Sequence, residues 1–424
     1  MFSTFKELFK PTNKDLRGRI YFTLIALAVF SLGTNIVVPG AKSITQDLGF
    51  LELLNLMSGG SLKTYSIFSL GVMPYITADI IMNILQMDVF PFFKDLKEQG
   101  YIGKQKINVI SRYLGIAIAF VQGYIFSIAF MKGSGSLAVM KSTLVLTGGT
   151  AFLVWLGDQI TSKGIGNGLS LIIMAGIINT TPAMFITAFR YLITNNSNLT
   201  LGILSFSAFV LVYLAIIVSV IYIQLAERRI PIQYSNRTNS AYGAEQNYLP
   251  VKLNSAGVVP VIFASAIIGI PSFIARFINK AGFTKFVNNY ISYETPTGLI
   301  LYVVLIMLFV YFYTFMQMSP EDMSKNLNQS GGYIPGVRPG KDTENYIKNV
   351  LSRLSGVGGI FLVIIAILPI IFSKITKLPS NVTIGGTGLL IVVGVAIETC
   401  KQLESSIVSR SYKTKVRRGR RWKI

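Results

Sequence analysis

Residues 67–87 read IFSLGVMPYITADIIMNILQM, and residues 256–277 read AGVVPVIFASAIIGIPSFIARF. Each is an apolar stretch of about the length a helix needs to cross ~30 Å of hydrocarbon. Both are interrupted near their starts by the same spacing, Gly71-Val72-Met73-Pro74 in one and Gly257-Val258-Val259-Pro260 in the other. Proline removes a backbone hydrogen bond and glycine lowers local stiffness. In a bilayer this is tolerated only where protein or a water-filled cavity covers the backbone. These stretches are the second and seventh of ten, so they hold matching positions in two sets of five. Paired interruptions at corresponding positions point to a repeat with a pathway at its interface, and an odd number of spans per repeat forces an inversion. Two ordinary proline kinks would explain each break singly; the shared spacing favours the repeat.

Working outward, the remaining apolar stretches run Tyr21–Val38, Val109–Met131, Thr143–Ile160, Leu169–Phe189, Leu199–Leu225, Leu299–Met318, Leu354–Phe372 and Ile384–Thr399. Composition agrees with a membrane solvent. Only 13% of the 424 residues are charged and 51% are apolar, with mean hydropathy +0.56, against roughly 25% charged in a soluble domain. The first stretch is too long for the apolar core of a cleavable signal peptide, and no small-residue cleavage site follows it. There is no histidine, which excludes His-based triads and His-ligated metals. The single cysteine, Cys400, leaves no internal disulfide or cysteine cluster. No phosphate-binding Gly-x-x-x-x-Gly-Lys-Ser/Thr loop occurs, so any ATP-driven force has to come from a partner.

The net charge is +21, and 29 of the 39 Lys/Arg fall in the start, the tail and alternate connections, counting Arg112 at the edge of the third stretch. By the positive-inside rule this puts both termini in the cytoplasm. The two longest connections, 226–255 and 319–353, are then cytoplasmic, basic, and suited to docking. Phe2, Phe5, Leu8 and Phe9 at helical spacing, with Lys6 and Lys10 between, predict an interfacial amphipathic helix. The segment 50–62 is too short to span. On its own composition it is either a re-entrant piece or a surface helix.

Several motifs resemble signatures of the SecY/Sec61-alpha family, the channel subunits of the Sec protein translocon. They are Gly71-Val72-Met73-Pro74-Tyr75-Ile76, Lys163-Gly164-Ile165-Gly166-Asn167-Gly168, and Asn254 through Ala264. To these add Pro320-Glu321-Asp322-Met323 with Gly331 through Gly340, and Gly385-Gly386-Thr387 with Leu389-Leu390-Ile391. They run in order from the second stretch to the tenth.

The resemblance implies an all-α polytopic membrane protein: ten transmembrane helices in two inverted five-helix halves, 1–198 and 199–424, forming a clamshell around an hourglass pore. It implies a protein-conducting channel of the bacterial plasma membrane and no cofactor. The pore ring carries over to Val72, Ile76, Leu169, Ile173, Ile262 and Ile391. The plug would be about 50–65, with Leu53, Leu54, Leu56, Met57, Ser58, Gly59 and Gly60. The lateral gate would involve Pro74, Asp79, Asn83, Val258 and Pro260. Arg228, Arg229 and Arg338 would receive a SecA-like motor ATPase or a translating ribosome. Small SecE-like and SecG-like membrane subunits would brace the channel, and signal-bearing preproteins would pass through it.

Physical chemistry fits these roles. A narrow aliphatic ring can stay dewetted and resist ions yet seal around a polypeptide. A guanidinium on a Gly/Pro-rich loop suits recognition of a carboxylate or phosphate. Two features depart from the family pattern. Asp79 stands where a small polar residue is usual. An ionised Asp at mid-membrane costs roughly 2.5–3.5 kcal/mol on insertion scales, so it should face the gate or pore, in a polar cluster with Asn83 and Asn167. The tail 401–424 holds nine Lys/Arg, and its run Lys413–Lys423 suits anionic lipids or ribosomal RNA. The competing readings are a secondary transporter of small solutes, an intramembrane protease using Asp79 with Asp158, and an accessory translocon paralogue. A transporter should show more polar groups at the midplane, and the aspartates lack the supporting protease motifs.

Overall fold

The computed structural model describes residues 14–41, 51–86, 91–131, 135–194, 199–234, 247–278, 281–291, 295–376 and 388–407. The amphipathic segment at the N-terminus, the glycines at 385 and 386 and the basic run of the tail lie outside the described residues. The chain forms two compact units, Met1–Thr187 with Ile391–Ile424, and Ala188–Leu390.

The first unit opens with α1 (Lys14–Gly33). Two short helices follow, α2 (Leu51–Met57) and α3 (Ser61–Thr64), then α4 (Met73–Leu85) and α5 (Pro91–Glu98). The long helices α6 (Tyr101–Phe130) and α7 (Ser136–Lys163) pack along each other, and α8 (Gly168–Phe189) comes next. Small residues set the close approaches, as expected where lipid supplies no hydrophobic drive between helices. Gly115 of α6 faces the Tyr75 backbone, and Gly157 of α7 lies against Gly168 at the start of α8. Thr23 of α1 accepts a hydrogen bond from Ile165 N at 3.1 Å, tying α1 to the turn before α8. Leu16 of α1 packs with Ile407 of the last helix, 388–407.

The second unit holds α9 (Leu199–Leu225), α10 (Val259–Ile278), α11 (Ala281–Phe286), α12 (Pro296–Gln317), α13 (Pro320–Gln329) and α14 (Lys341–Thr376). It also holds three strands, β1 (Glu227–Tyr234), β2 (Asn247–Lys252) and β3 (Gly332–Tyr333), in an antiparallel sheet of order β2-β1-β3. Sequence reading takes 226–255 and 319–353 as two separate loops. They instead share one core of Ile230, Ile232 and Val251 from the first with Leu327, Ile334, Ile347 and Leu351 from the second. The helix α14 begins at Lys341 rather than near 354, because Ile347 and Leu351, one turn apart on one face, bury on that core. Ser319 Oγ caps α13 by accepting from Asp322 N at 3.2 Å, with Pro320 in the first turn where no donor is needed.

Among the described residues, seven stretches are long and apolar enough to cross a membrane. They are α1, α6, α7, Gly168–Thr194, α9, Pro296–Gln329 and Lys341–Phe372. The helix α4 and the start of α10, Val259–Gly269, are shorter apolar helices. The protein is thus a helical membrane protein, with the small sheet and one isolated β-bridge, Val37 with Ser66, as its β structure among the described residues.

The two Gly-x-x-Pro interruptions take the form of helix starts. Gly71 has φ +57° and Gly257 has φ +66°, a region that favours glycine. Helix α4 begins two residues after Gly71 and α10 two residues after Gly257. The Val72 carbonyl accepts from Tyr75 N and Ile76 N, both at 3.1 Å; the Val258 carbonyl accepts from Val261 N at 3.2 Å and Ile262 N at 3.4 Å. Pro74 and Pro260 fall in the first turn, where a missing N–H leaves nothing unpaired. Residues 67–72 are turns, so helix α4 is roughly 20 Å long at 1.5 Å per residue, short of a full span.

Candidate functional site

The short helices α2 and α3 fold back onto the first unit. Asn55 Oδ1 accepts from Lys63 N at 3.0 Å, which locks α2 to α3, and Gly60 N donates to Asn55 O at 2.7 Å. Leu56, Met57 and Ser58 are buried, and Leu54 is half-buried. Gly59 and Gly60 adopt positive φ, 75° and 82°, and turn the chain between the two helices. The Met57 carbonyl lies against Gly176 of α8, so close that a methyl there would stand 2.5 Å from its oxygen. Asn179, one turn further along α8, donates to Gly59 O at 3.4 Å and to Thr34 Oγ1 at 3.5 Å. Gly71 faces Ser58, with an added Cβ 3.3 Å from Ser58 Cβ. Leu53 lies within α2; its side chain is outside the described set. Sequence reading named this segment but not its receptor. The one local signal is the polar run Asn179-Thr180-Thr181 inside an otherwise apolar helix; Gly176 carries none.

The six aliphatic ring candidates occupy comparable places in their helices. Val72 precedes α4 and Ile76 lies in its first turn; Leu169 and Ile173 open α8; Ile262 lies in the first turn of α10; Ile391 lies in the first turn of 388–407. Val72, Ile173, Ile262 and Ile391 are buried, and Ile76 and Leu169 are half-buried. Helix starts point backbone N–H groups and first-turn side chains the same way.

Of the gate candidates, Pro74 and Pro260 are buried and Val258 is half-buried. Asp79 is half-buried on α4, and Asn83 donates to its Oδ2 at 3.4 Å, four residues on. Asn167 is engaged elsewhere: its Oδ1 caps α8, accepting from Leu169 N at 3.2 Å and Ser170 N at 3.4 Å. Asp158 pairs with Arg112 at 2.9 Å, an α6–α7 link that sequence reading missed.

The basic residues sit on the sheet platform. Strand alternation sends neighbours to opposite faces. Arg228 lies on the side of buried Ile230 and Ile232, at the exposed end of that row, opposite Val251. Arg229 lies on the other face: its Nε donates to Glu227 Oε1 at 3.0 Å and its guanidinium stacks 4.7 Å above the Tyr248 ring. Arg338 is exposed on the turn between β3 and α14. That turn is braced: Thr343 Oγ1 donates to Arg338 O at 2.9 Å, and Ser324 Oγ donates to Gly340 O at 3.0 Å. The pair Arg228 and Arg229 and the single Arg338, far apart in sequence, therefore ride on one folded body. Among the described residues no group of His, Cys, Asp and Glu could hold a metal ion.

Comparison with known proteins agrees with this architecture. The family model described as SecY matches residues 66–400. The chain is 43% identical over 427 residues to protein translocase subunit SecY of Staphylococcus carnosus (strain TM300), covering 97% of this chain and 99% of that one. It is 45% identical over 428 residues, with the same coverage, to protein translocase subunit SecY of Bacillus subtilis (strain 168). Among solved structures, it resembles a protein-conducting channel with TM-score 0.68 and 18% identity over 93% of both chains. It also resembles a SecY whose plug domain stabilises the closed channel and maintains a membrane seal, with TM-score 0.65 and 19% identity over 93% of both chains. A third is Sec61 in the canine ribosome–channel complex of the endoplasmic reticulum, with TM-score 0.64 and 17% identity over 93% of both chains. At these identities the structures speak to the fold, and the bacterial relatives carry the family assignment. The chain belongs to the SecY family and is a protein-conducting translocation channel.

Proposed function

We propose that this channel carries signal-bearing preproteins across the bacterial plasma membrane and releases membrane-protein helices sideways into lipid. The observation that carries the reading is the docking of 51–64 against Gly176 and Asn179 of α8. A short, internally bonded segment that buries its apolar side chains without spanning is suited to act as a removable plug. Its named residues are Leu53, Leu54, Leu56, Met57, Ser58, Gly59 and Gly60. A ring of Val72, Ile76, Leu169, Ile173, Ile262 and Ile391 would form the constriction; aliphatic side chains there exclude ions yet yield around a moving chain. Pro74, Asp79, Asn83, Val258 and Pro260 would line the lateral gate. The helix starts at Gly71 and Gly257 support this, since a helix that begins at a turn can tilt without breaking its own hydrogen bonds.

In the same reading there are ten spans, arranged as inverted halves 1–198 and 199–424 with both termini in the cytoplasm. SecE-like and SecG-like subunits brace the channel. A SecA-like ATPase or a translating ribosome docks through Arg228, Arg229 and Arg338, and the basic tail meets anionic lipids. The shared core of the two long connections supports a single docking body. No observation favours the solute-transporter reading.

Reconstitution tests the proposal. The channel and its small subunits are placed in liposomes with motor ATPase, ATP and a preprotein, and protease protection is scored. Protection that depends on the signal sequence and ATP is expected. Sealed vesicles with an active motor and no protection would overturn it.

A further inference from the structure

Residues 36–38 and 65–67 clasp each other. Val38 N donates to Tyr65 O at 3.0 Å, Ile67 N donates to Ile36 O at 3.0 Å, and Val37 faces Ser66 in a single antiparallel bridge. The excursion that carries α2 and α3 therefore leaves and rejoins the unit at one neck. At that neck stands Tyr65, with φ 48° and ψ 53°, the one non-glycine among the described residues with positive φ. A side chain with a Cβ takes this conformation only when its surroundings hold it there.

The side chain is what is held. The Tyr65 hydroxyl donates to Ser127 Oγ at 3.2 Å, Ser127 Oγ donates to Ser142 Oγ at 3.2 Å, and Ser142 Oγ lies 3.1 Å from the Tyr65 hydroxyl. If Ser142 donates to Tyr65, each hydroxyl gives one bond and accepts one, closing a ring. None of the three residues is more than 2% exposed. Such a buried ring strengthens its own members and specifies one geometry. It joins the neck to α6 through Ser127 and to α7 through Ser142. The Phe130 ring adds an edge contact, centroids 6.2 Å apart.

From the neck the bonds run on into the docked segment. Ser66 N donates to Ser61 O at 2.9 Å, Ser61 Oγ donates to Phe68 O at 2.8 Å, and Ser69 Oγ donates to Ser61 O at 2.9 Å. Ser61 begins α3, and Lys63 ties α3 to Asn55 of α2. Hydrogen bonds, joined by short lengths of chain, thus link the hydroxyl ring to the helix that meets Gly176.

We propose that Tyr65 is a positioning residue for the plug: its hydroxyl, closed in a ring with Ser127 and Ser142, fixes the left-handed neck that aims α2 and α3 at α8. The inference rests on reading 51–64 as the plug. Removing the hydroxyl keeps the aromatic packing but leaves the two serines bonded only to each other, and the neck loses its only polar tie to α6 and α7 through this side chain.

The test uses the full chain with its small subunits in liposomes, carrying Cys400→Ser and the reporter Met57→Cys, a position buried in the docked segment. Two quantities are read: the rate at which a small maleimide labels the reporter, and the resting chloride leak. Tyr65→Phe is expected to raise both about thirtyfold, the factor for two net hydrogen bonds of roughly 1 kcal/mol each. Ser142→Ala should do the same, and the double variant should add little beyond either single one, because all three cut one ring. If Tyr65→Phe fails to assemble, Ser142→Ala carries the same test. Faster labelling without leak would uphold the neck and refute the sealing role of the plug. Unchanged labelling would overturn the inference, whatever the leak does. Equal acceleration at a second buried reporter in α7, Leu153→Cys, would also overturn it, since it would mean general loosening.

Discussion

Gly176→Ala adds one methyl group to α8 where the docked segment comes closest. Built on the backbone, that methyl stands 2.5 Å from the Met57 carbonyl oxygen, 3.0 Å from Gly59 N and 3.1 Å from the Met57 carbonyl carbon. All three are backbone atoms, so no rotamer change relieves the clash. To reach an ordinary contact of about 3.4 Å the segment must withdraw by roughly 0.9 Å, and inserting a methylene-sized group into a packed site costs about 1–3 kcal/mol. At 1.4 kcal/mol per factor of ten, the docked state should lose about 5- to 150-fold in population relative to the displaced one. The helix itself moves the other way: alanine in place of glycine in a helix interior is favourable by about 1 kcal/mol. The signature is therefore a split, with resting ion leak in proteoliposomes up by about 5- to 150-fold and thermal stability unchanged or raised. Gly148→Ala in α7, where an added Cβ meets nothing within 4 Å, is the control and should not leak. A Gly176→Ala channel that folds, translocates and holds ions as well as the parent would refute the claim that this contact seals.

Other expectations follow from the remaining site residues. Asp79→Ser removes the carboxylate that Asn83 contacts and should loosen the gate, raising export of preproteins with weakened signal sequences; unchanged export of these substrates refutes it. Arg338→Glu reverses an exposed charge on a braced turn and should cut motor-driven protease protection more than tenfold, as for loss of an interface charge pair of about 2–5 kcal/mol, while resting leak stays normal. Normal protection at limiting motor concentration counts against docking there. Arg228→Ala and Arg229→Ala should differ, since Arg229 is engaged by Glu227 and Tyr248. The first is expected to weaken ribosome binding at low salt while leaving heat stability alone, and the second to lower both; indistinguishable effects refute the division. A chain ending at Tyr412 should bind anionic vesicles several-fold more weakly than the full chain, by cosedimentation; equal binding removes the tail from that role.

What the sequence discloses and what it hides follow the range of the forces involved. The Gly-x-x-Pro motifs are legible because their consequence is local: a glycine that accepts positive φ, then a proline where a helix has no donor to satisfy. Reading them as breaks within helices was nearly right; the bonds to Val72 O and Val258 O show the break to be the helix start. The platform was harder. The strand β1 alternates Arg229, Pro231 and Gln233 outward with Ile230 and Ile232 inward, a period of two that a search for membrane helices passes over. Pro231 disguises it further, because proline suits a strand only where an edge is open, and β3 pairs only with Gln233 and Tyr234. Burial of Ile230 and Ile232 also depends on Leu327, Ile347 and Leu351, which lie about a hundred residues away in the chain.

The neck carries this furthest. Tyr65 bonds to serines 62 and 77 positions on, each of which alone reads as one more small polar residue in an apolar helix. No local pattern requires tyrosine there, and its left-handed backbone argues against it. A residue that breaks a local rule needs compensation from elsewhere in the fold. Here the ring of hydroxyls supplies it at the point where the proposed plug joins α6 and α7. A plug that leaves and returns to one position would need a base more rigid than itself, and buried hydroxyls between two packed helices would provide that rigidity without adding charge.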